Sequence, residues 1–303
     1  MLASIVIPTF NRLEDLRRVV AAVQEEVRGF GAGVEIVVVD DGSSDGTWEW
    51  LSASAAESAL NVLRQKNSGP AIARNRGVET ATGEIVLFLG DDTVPQPGWL
   101  AAHLEEHRLA GNAGTLAVLG YTSFPPETDS PFARFINEYG AQFGYSIIED
   151  PTEVPFNFFY TSNISLPRGI LERLGGFRED FPAAAWEDIE FAYRAVGEGL
   201  HLRYQPRART LHYHRVHPRT FCRRQRTSGL SAAIFAGLHP ELGNFLGLPR
   251  VKRRLPLKRL RSTLLAAVVE FGEYFEGVVP RRVYTIFLDE CYLEGLAEGL
   301  HSR

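Results

Sequence analysis

The stretch Ile85–Pro95 constrains this chain more than any other, because a run of apolar residues ends abruptly in acid. Its first five residues are all apolar and include Ile85 and Val86, which predicts a strand buried on both faces of a sheet. Asp91 and Asp92 follow almost at once. Two neighbouring carboxylates at the end of a buried strand repel each other and favour a positive partner. A divalent cation with oxygen ligands is one such partner, and a solvated acidic turn is the alternative.

Strands and helices alternate along the chain before this stretch. Ser4–Pro8, Glu35–Asp40 and Leu60–Leu63 are predicted strands, and apolar residues recur at helical spacing after the first of them. A helix is predicted from about Thr47, and another where the loop at the start of Gly69–Gly77 ends. This alternation predicts an α/β fold with right-handed crossovers, in which helices flank a mostly parallel central sheet.

Polar residues follow three of the predicted strands at one edge of the sheet. They are Thr9 and Asn11, Asp40 and Asp41, and Asp91 and Asp92. Ligands of open α/β sheets bind beyond the carboxyl ends of the strands, so this edge is the predicted site. No G-x-G-x-x-G turn follows the first strand and no G-x-x-x-x-G-K-[ST] loop is present, which disfavours a dinucleotide fold and a P-loop.

The bulk properties of the chain exclude other classes. Its net charge of -5 argues against general nucleic-acid binding. The two cysteines, Cys222 and Cys291, are far apart in sequence and have no metal-ligand spacing. We therefore expect no disulfide, no secretory leader and a cytoplasmic, reducing location.

Three sequence blocks occur in a fixed order: Ile5–Arg12, Val39–Thr47 and Gly69–Gly77. Their residues and their order resemble the family-2 inverting glycosyltransferases, and the likeness extends over about residues 3 to 230. The resemblance implies the GT-A fold, also called the nucleotide-diphospho-sugar transferase fold. It also implies transfer of a sugar from a nucleotide diphosphate to a hydroxyl group.

The resemblance assigns the donor side of the site as well. Asp40 would accept a hydrogen bond from a ring N–H of the base. The residues implied to contact the nucleotide sugar are Pro8, Thr9, Asn11, Asp40, Asp41, Arg74 and Asp91. Asp92 matches the last acid of the family's D-x-D metal motif, and Gly90 stands at the position of its first acid. The implied cofactor is Mg²⁺ or Mn²⁺, with Asp91 covering part of the role of the first acid.

A second acidic stretch, Trp186–Arg194, predicts a helix whose first turn holds Glu187 and Asp188. Acids in a first turn also complement the helix dipole, which is the purely structural interpretation. The stretch resembles the family's E-D motif, which makes Asp188 the general base with Glu187 beside it. An alcohol is a poor nucleophile until its proton has an acceptor, and an Asp with an unperturbed pKa of about 3.9 is a carboxylate at neutral pH.

Two histidines follow in a predicted extended segment, Arg209–Arg215, where period-two alternation puts His212 and His214 on one face. In relatives a His about this far beyond the base completes the metal site. The resemblance favours His212 over His214 for that role. On the acceptor side, the resemblance implies contacts from Asn163 and Trp186.

The chain is predicted to form a catalytic domain, residues 1–240, and a helical C-terminal appendage, residues 241–303. The nucleotide half spans about 1–110 and the acceptor half about 111–240, of which 111–160 is predicted to be loop because prolines interrupt it. Apolar residues at helical spacing in the appendage favour packing on the catalytic domain or on a second copy. A basic amphipathic helix at the inner face of a membrane is the alternative.

The sequence therefore predicts a metal-dependent inverting glycosyltransferase with a nucleotide-sugar donor and a glycan, lipid-linked or other hydroxyl acceptor. UDP is the favoured nucleotide, with GDP and dTDP left open. One alternative is a sugar-nucleotide-binding protein without transfer activity. Another is a nucleotidyltransferase, which needs a Gly-rich basic loop after the first strand that Thr9–Arg12 does not offer.

Overall fold

The structure is a computed structural model that describes residues 3–57, 60–111, 114–140, 142–252, 258–272 and 279–302. The chain divides into two compact units. The first comprises Met1–Pro125, Ile148–Glu179 and Glu187–Tyr213, and the second Pro126–Ile147, Asp180–Trp186 and His214–Arg303. This division differs from the predicted boundary at residue 240, because the helix that precedes this position packs with the C-terminal helices.

All the strands of the described residues belong to the first unit and form one sheet. They are β1 (Ala3–Thr9), β2 (Val34–Asp40), β3 (Leu60–Arg64), β4 (Ile85–Leu89), β5 (Thr93–Pro95), β6 (Leu116–Ser123), β7 (Asn163–Pro167) and β8 (His201–His212). Their order across the sheet is β3-β2-β1-β4-β7-β6-β8-β5. The β1–β2, β2–β3, β1–β4 and β6–β8 pairs are parallel, and the other three pairs are antiparallel. The predicted α/β class and mostly parallel sheet are confirmed.

The helices are α1 (Leu13–Phe30), α2 (Thr47–Glu57), α3 (Pro70–Thr80), α4 (Trp99–Ala110), α5 (Pro131–Glu138), α6 (Arg168–Leu174), α7 (Glu187–Gly197), α8 (Pro218–Leu238), α9 (Leu248–Lys252), α10 (Lys258–Gly272) and α11 (Arg281–His301). The first unit contains α1–α4, α6 and α7, and the second contains α5 and α8–α11. The four buried residues of α1 are Leu16, Val19, Val20 and Val23, which recur at the helical spacing seen in the sequence.

The acidic stretch is a turn between two strands that lie far apart in the sheet. In the sequence, only Gly90, Asp91 and Asp92 lie between β4 and β5. In the sheet, the three strands β7, β6 and β8 lie between them, so β5 is four strand-to-strand steps from β4. Four steps in a flat sheet span about 19 Å, whereas four Cα–Cα steps of a fully extended chain reach about 15 Å. The sheet therefore curls, and the two acids sit where it curls.

The prediction that residues 111–160 are loop was wrong. Leu116–Ser123 is an eight-residue strand whose first five residues are buried, and Pro131–Glu138 is a helix. The prolines that suggested a loop fall after β6 and at the first position of α5, where a missing N–H costs nothing. Ser130 caps this helix by accepting a hydrogen bond from the backbone N–H of Ala133 at 3.1 Å.

The expectation of two unlinked cysteines was also wrong. Cys222 on α8 and Cys291 on α11 form a disulfide within the second unit, although they are 69 residues apart in sequence. The two helices approach closely because small residues lie between them. A Cβ atom at Gly295 would lie 1.8 Å from the carbonyl oxygen of Arg226. None of the helices in the described ranges combines the length and apolar character that a bilayer crossing needs.

Candidate active site

The acid pair after β4 is held by side chains from the neighbouring strand and the loop behind it. Thr9, the last residue of β1, donates a hydrogen bond from Oγ1 to Asp91 Oδ2 at 2.8 Å. Arg12 places Nη1 2.5 Å from Asp92 Oδ2 and Nε 3.8 Å from Asp91 Oδ1. Thr9 and Asp91, both predicted donor-side residues, are therefore in direct contact.

Gly90 has little room for a side chain. A Cβ atom there would lie 2.8 Å from Thr93 Oγ1 and 3.3 Å from Asp92 Oδ1. An acid at the first position of the D-x-D motif would need local rearrangement of the turn. The acidic character of this turn therefore comes from Asp91 and Asp92.

His212 reaches Asp92 because of the strand register. β5 pairs antiparallel with β8 so that Thr93 lies opposite His212, and the backbone N–H of Tyr213 donates to the carbonyl oxygen of Asp92 at 2.8 Å. His212 Nε2 then lies 3.2 Å from Asp92 Oδ2, and its ring stacks on Phe124 with centroids 5.6 Å apart. The contact between the two predicted metal ligands is thus built into the sheet.

Burial, followed by the charge of Asp92, raises the pKa of Asp91 to about 7. Arg12 and the hydrogen bond from Thr9 act in the opposite direction. Although Arg12 contacts both acids, the pKa of Asp91 stays raised, which indicates that the acid pair favours further positive charge.

The residues present fit a divalent cation only as a partial set. Within the described ranges, no three His, Cys, Asp or Glu side chains converge on one point that could hold a metal ion. Asp92 and His212 provide an oxygen and a nitrogen 3.2 Å apart. Cations of the Mg²⁺ type commonly take one or two protein carboxylates and complete their shell with substrate phosphates and water. The pair therefore fits a cation shared with a diphosphate.

The two acids after β2 differ in how their oxygens are used. Asp40 is fully buried, and its Oδ1 accepts from the backbone N–H of Ser43 at 2.9 Å. Its Oδ2 lies 3.3 Å from Arg64 Nε but has no hydrogen-bond partner among the described residues. Asp41 accepts from the backbone N–H groups of Ser68 and Gly69, both at 2.9 Å. Asp41 thus fixes the loop that opens α3, whereas Asp40 keeps an oxygen available as an acceptor.

Asn11 joins the loops after β1 and β2. Its backbone N–H donates to Ser43 Oγ at 2.8 Å, and its Oδ1 accepts from the backbone N–H of Ser44 at 2.8 Å. Its φ of 53° lies in the left-handed region, which Asn tolerates better than most residues. Pro8 lies half-buried just before this turn. The structure gives Asn11 a role in shaping this edge of the sheet.

Arg74, which the resemblance places near the nucleotide, is paired with Glu187. Its Nη1 lies 2.7 Å from Glu187 Oε1, and both side chains are buried. Gly77 lets α3 approach the sheet, because a Cβ atom there would lie 2.4 Å from Val6 Cγ1. The pair joins α3 to the first turn of α7 and places Arg74 beside the predicted base.

Asp188 is half-buried on the first turn of α7. Its Oδ1 accepts from the N–H of Ile189 at 2.9 Å, and its Oδ2 accepts longer bonds of 3.4 Å from the N–H and Oγ1 of Thr161. Burial and then the charge of Glu187 raise the pKa of Asp188 to about 7, and Arg74 opposes this. A carboxylate with this raised pKa is a stronger base than an Asp with the unperturbed value of about 3.9.

Of the two predicted acceptor residues, Asn163 is buried and Trp186 is half-buried. Asn163 is fully buried, and its Oδ1 accepts from Trp99 Nε1 at 2.7 Å, while its Nδ2 donates to the carbonyl oxygen of Ala208 at 3.0 Å. Trp186 belongs to the second unit, where its Nε1 donates to the carbonyl oxygen of Ser228 at 2.9 Å. With φ at 73°, Trp186 has a backbone conformation that is costly for a bulky residue.

Sequence reasoning gave no role to Arg12 or Thr161. Arg12 could have been found, because it follows the first predicted strand at the same sheet edge as two acids that favour a positive partner. Thr161 carries no such signal, since only the packing of α7 brings it to Asp188.

The curled α/β sheet is the predicted GT-A fold, as its likeness to two solved structures shows. A mannosyltransferase from Pyrobaculum calidifontis, solved with GDP-Man and Mn²⁺, superimposes with a TM-score of 0.63 at 20% identity, covering 99% of this chain and 87% of its own. Residues 1–349 of TarS from S. aureus, solved with UDP, give a TM-score of 0.57 at 18% identity, covering 100% and 91%. These likenesses confirm the predicted fold.

The glycosyl transferase family 2 profile matches residues 4–175, and the chain belongs to that family. A pre-mycofactocin glycosyltransferase of Mycobacterium tuberculosis is 29% identical over 243 residues, which cover 78% of this chain and 48% of the relative. The chain thus spans about half the length of this curated relative. The predicted family is confirmed.

Proposed function

We propose that this chain is an inverting glycosyltransferase that moves a sugar from a nucleotide diphosphate to a hydroxyl acceptor, with Asp188 as the general base. Membership of glycosyl transferase family 2 supports the class of reaction. The observation that carries the assignment of the base is the environment of Asp188. Asp188 is a half-buried residue on the first turn of α7, and burial followed by the charge of Glu187 raises its pKa to about 7.

The proposed reaction is a single displacement. The acceptor oxygen bonds to the anomeric carbon as the bond from that carbon to the diphosphate oxygen breaks, which inverts the configuration. The acceptor proton passes to Asp188, and the electron pair of the broken bond leaves with the diphosphate. A base positioned in this way contributes about 10²- to 10⁴-fold to the rate. Glu187 and Arg74 hold the first turn of α7 and set the charge around Asp188.

Asp92 and His212 are the proposed cation ligands, and Mn²⁺ or Mg²⁺ is the proposed ion. The cation would neutralise negative charge that develops on the departing diphosphate. Support comes from the 3.2 Å contact between the two side chains. The mannosyltransferase solved with GDP-Man and Mn²⁺ provides further support at the level of the fold.

On the donor side, Asp40 Oδ2 is the proposed acceptor for a ring N–H of the base. It is a buried carboxylate oxygen that lacks a hydrogen-bond donor within the described part of the chain. UDP and GDP both carry such an N–H. TarS was solved with UDP, which keeps UDP as the first nucleotide to test. The proposed acceptor is a glycan, a lipid-linked molecule or another alcohol.

The decisive experiment measures release of the nucleotide from UDP-glucose, UDP-GlcNAc and GDP-mannose with Mn²⁺, with water as the acceptor. We expect release from one donor, and in Asp188→Asn a loss of at least about 10²-fold with donor affinity nearly unchanged. The matched control is Asp150→Asn, which makes the same change at an exposed loop carboxylate. Normal turnover by Asp188→Asn would remove the base assignment. Tight donor binding without any turnover would favour the alternative of an inactive binding protein.

A further inference from the structure

Arg12 lies at the centre of the acid pair although it belongs to neither predicted ligand set. It is the residue before α1, and its backbone carbonyl accepts the first bond of that helix from Leu16 N at 2.9 Å. Its side chain extends to Asp92 Oδ2 at 2.5 Å and to Asp91 Oδ1 at 3.8 Å. The guanidinium therefore bridges both carboxylates of the turn.

The oxygen that Arg12 holds is the one that faces His212. Asp92 Oδ2 lies 2.5 Å from Arg12 Nη1 and 3.2 Å from His212 Nε2. A cation ligated by Asp92 and His212 comes next to this oxygen. Two positive groups at such a distance repel each other strongly where solvent screening is weak. Arg12 and a divalent cation therefore compete for one carboxylate oxygen.

Arg12 is also the most exposed member of this cluster. Its side chain is 35% exposed, whereas those of Asp91 and Asp92 are 14% and 12% exposed. A guanidinium forms paired hydrogen bonds with a phosphate as readily as with a carboxylate. A diphosphate beside the turn thus offers Arg12 an alternative partner on its solvent side.

We propose that Arg12 is an internal counter-ion that holds Asp92 until the diphosphate of a donor draws it away, so that cation and nucleotide bind together. The inference rests on the proposed function. Since each ligand removes an obstacle to the other, their affinities are coupled, and coupling of this kind is typically about 5- to 150-fold. Arg12 is a positioning residue in this scheme, because it controls access to Asp92.

The test measures Mn²⁺ binding to the full chain by the loss of the free-ion electron paramagnetic resonance signal, with and without saturating UDP. In the wild type we expect weak binding that UDP strengthens at least about five-fold. In Arg12→Gln we expect Mn²⁺ to bind about ten-fold more tightly without UDP and the effect of UDP to shrink correspondingly. Arg12→Lys keeps the charge but not the paired geometry, and should fall between the two.

Two further variants make the result specific. Arg17→Gln removes the same charge from an exposed position on α1, where Arg17 pairs with Glu14, and should leave Mn²⁺ affinity unchanged. Asp92→Asn in the Arg12→Gln background should abolish the gain. If Arg12→Gln does not fold, as judged by circular dichroism, the smaller gain expected of Arg12→Lys carries the test.

The outcomes separate the inference from the proposed function. Suppose that UDP strengthens Mn²⁺ binding in the wild type, but that without UDP the wild type, Arg12→Gln and Arg12→Lys bind Mn²⁺ with the same affinity. That result would overturn the role of Arg12 and leave the metal site in place. An absence of Mn²⁺ binding in the wild type at any UDP concentration would instead remove the proposed metal site.

Discussion

Replacing Asp188 by Asn should make the fold more stable at high pH even as it removes the proposed base. The pKa of Asp188 is raised from 3.8 to about 7 by burial and by the charge of Glu187. A group whose pKa is raised by folding stabilises the protein while it is protonated. That contribution is fully present below pH 3.8 and is lost as the pH rises through 7. Asn has no proton to lose and avoids this loss.

The rise in the pKa of Asp188 from 3.8 to about 7 corresponds to about 4 kcal/mol in the free energy of unfolding. Asp188 is half-buried, so solvent screens part of this cost, and about 2 kcal/mol is the expected size. The difference in unfolding free energy between Asp188→Asn and the wild type should therefore grow by about 2 kcal/mol between pH 4 and pH 8. The hydrogen bond from Thr161 opposes the rise of this pKa and is already part of its value, so the change of the difference with pH is the quantity to compare.

The assay is urea denaturation followed by circular dichroism at pH steps from 4 to 8.5. Asp150→Asn provides the control, because hydrogen bonds from Thr152 lower the pKa of Asp150 from its ordinary value of 3.8. Its wild-type carboxylate keeps its stabilising effect above that pH and loses it only in more acidic solution, so the stability difference for that variant should stay nearly constant above about pH 5. A difference for Asp188→Asn that stays flat from pH 4 to 8.5 would refute the raised pKa and the charge argument for the base.

Three further predictions follow from the same structure. Burial lowers the pKa of His103 to about 4 and of His107 to about 3. The free energy of unfolding should therefore decline as the pH falls from 6.5, by about 3 kcal/mol at pH 4 for His103 alone. Urea midpoints that hold constant over this range would contradict the prediction. Glu187→Gln removes the like charge beside Asp188, so the pKa of Asp188 should fall and the acid limb of the pH–rate profile should move to lower pH. An acid limb that stays fixed or moves to higher pH would contradict the effect of Glu187 on Asp188. His212→Gln should weaken UDP-supported Mn²⁺ affinity about ten-fold, as measured by calorimetry. His214→Gln is the matched control, and an equal loss of Mn²⁺ affinity in both variants would contradict the prediction.

The sequence predicted the first half of the sheet well because its signals are local. Buried strands such as β2 and β4 are short continuous apolar runs, and the polar residues after them mark the edge where ligands bind. The acid pair and its need for positive charge followed from adjacency alone. The role of Asp188 followed from the resemblance, while its raised pKa depends on the packing of Glu187 and Thr161, which no local pattern encodes.

Several features that sequence reasoning missed are non-local. The sheet curls between β4 and β5 because β5 pairs with β8, which lies more than a hundred residues further along the chain. The same register decides that His212 meets Asp92. The disulfide between Cys222 and Cys291 follows from the packing of α8 against α11, which spacing in sequence does not reveal.

The two acidic centres share one charge arrangement. In each, an arginine makes its shortest contact with one of two adjacent carboxyl groups: Arg12 with Asp92, and Arg74 with Glu187. In each, burial and the adjacent acid raise the pKa of the other carboxyl, Asp91 or Asp188, to about 7.

This arrangement is costly for folding, because a second buried carboxylate with no full counter-charge destabilises the native state. It suits the proposed reaction, since each centre favours the arrival of positive charge. At Asp188 the positive charge is the proton of the acceptor alcohol. At Asp92 it is the cation that arrives with the diphosphate. In the proposed reaction, the negative charge of such a site is balanced only when the substrates are bound. The same charge on Asp188 therefore lowers the stability of the free protein and accepts the proton during transfer, so Asp188→Asn should gain stability and lose transfer.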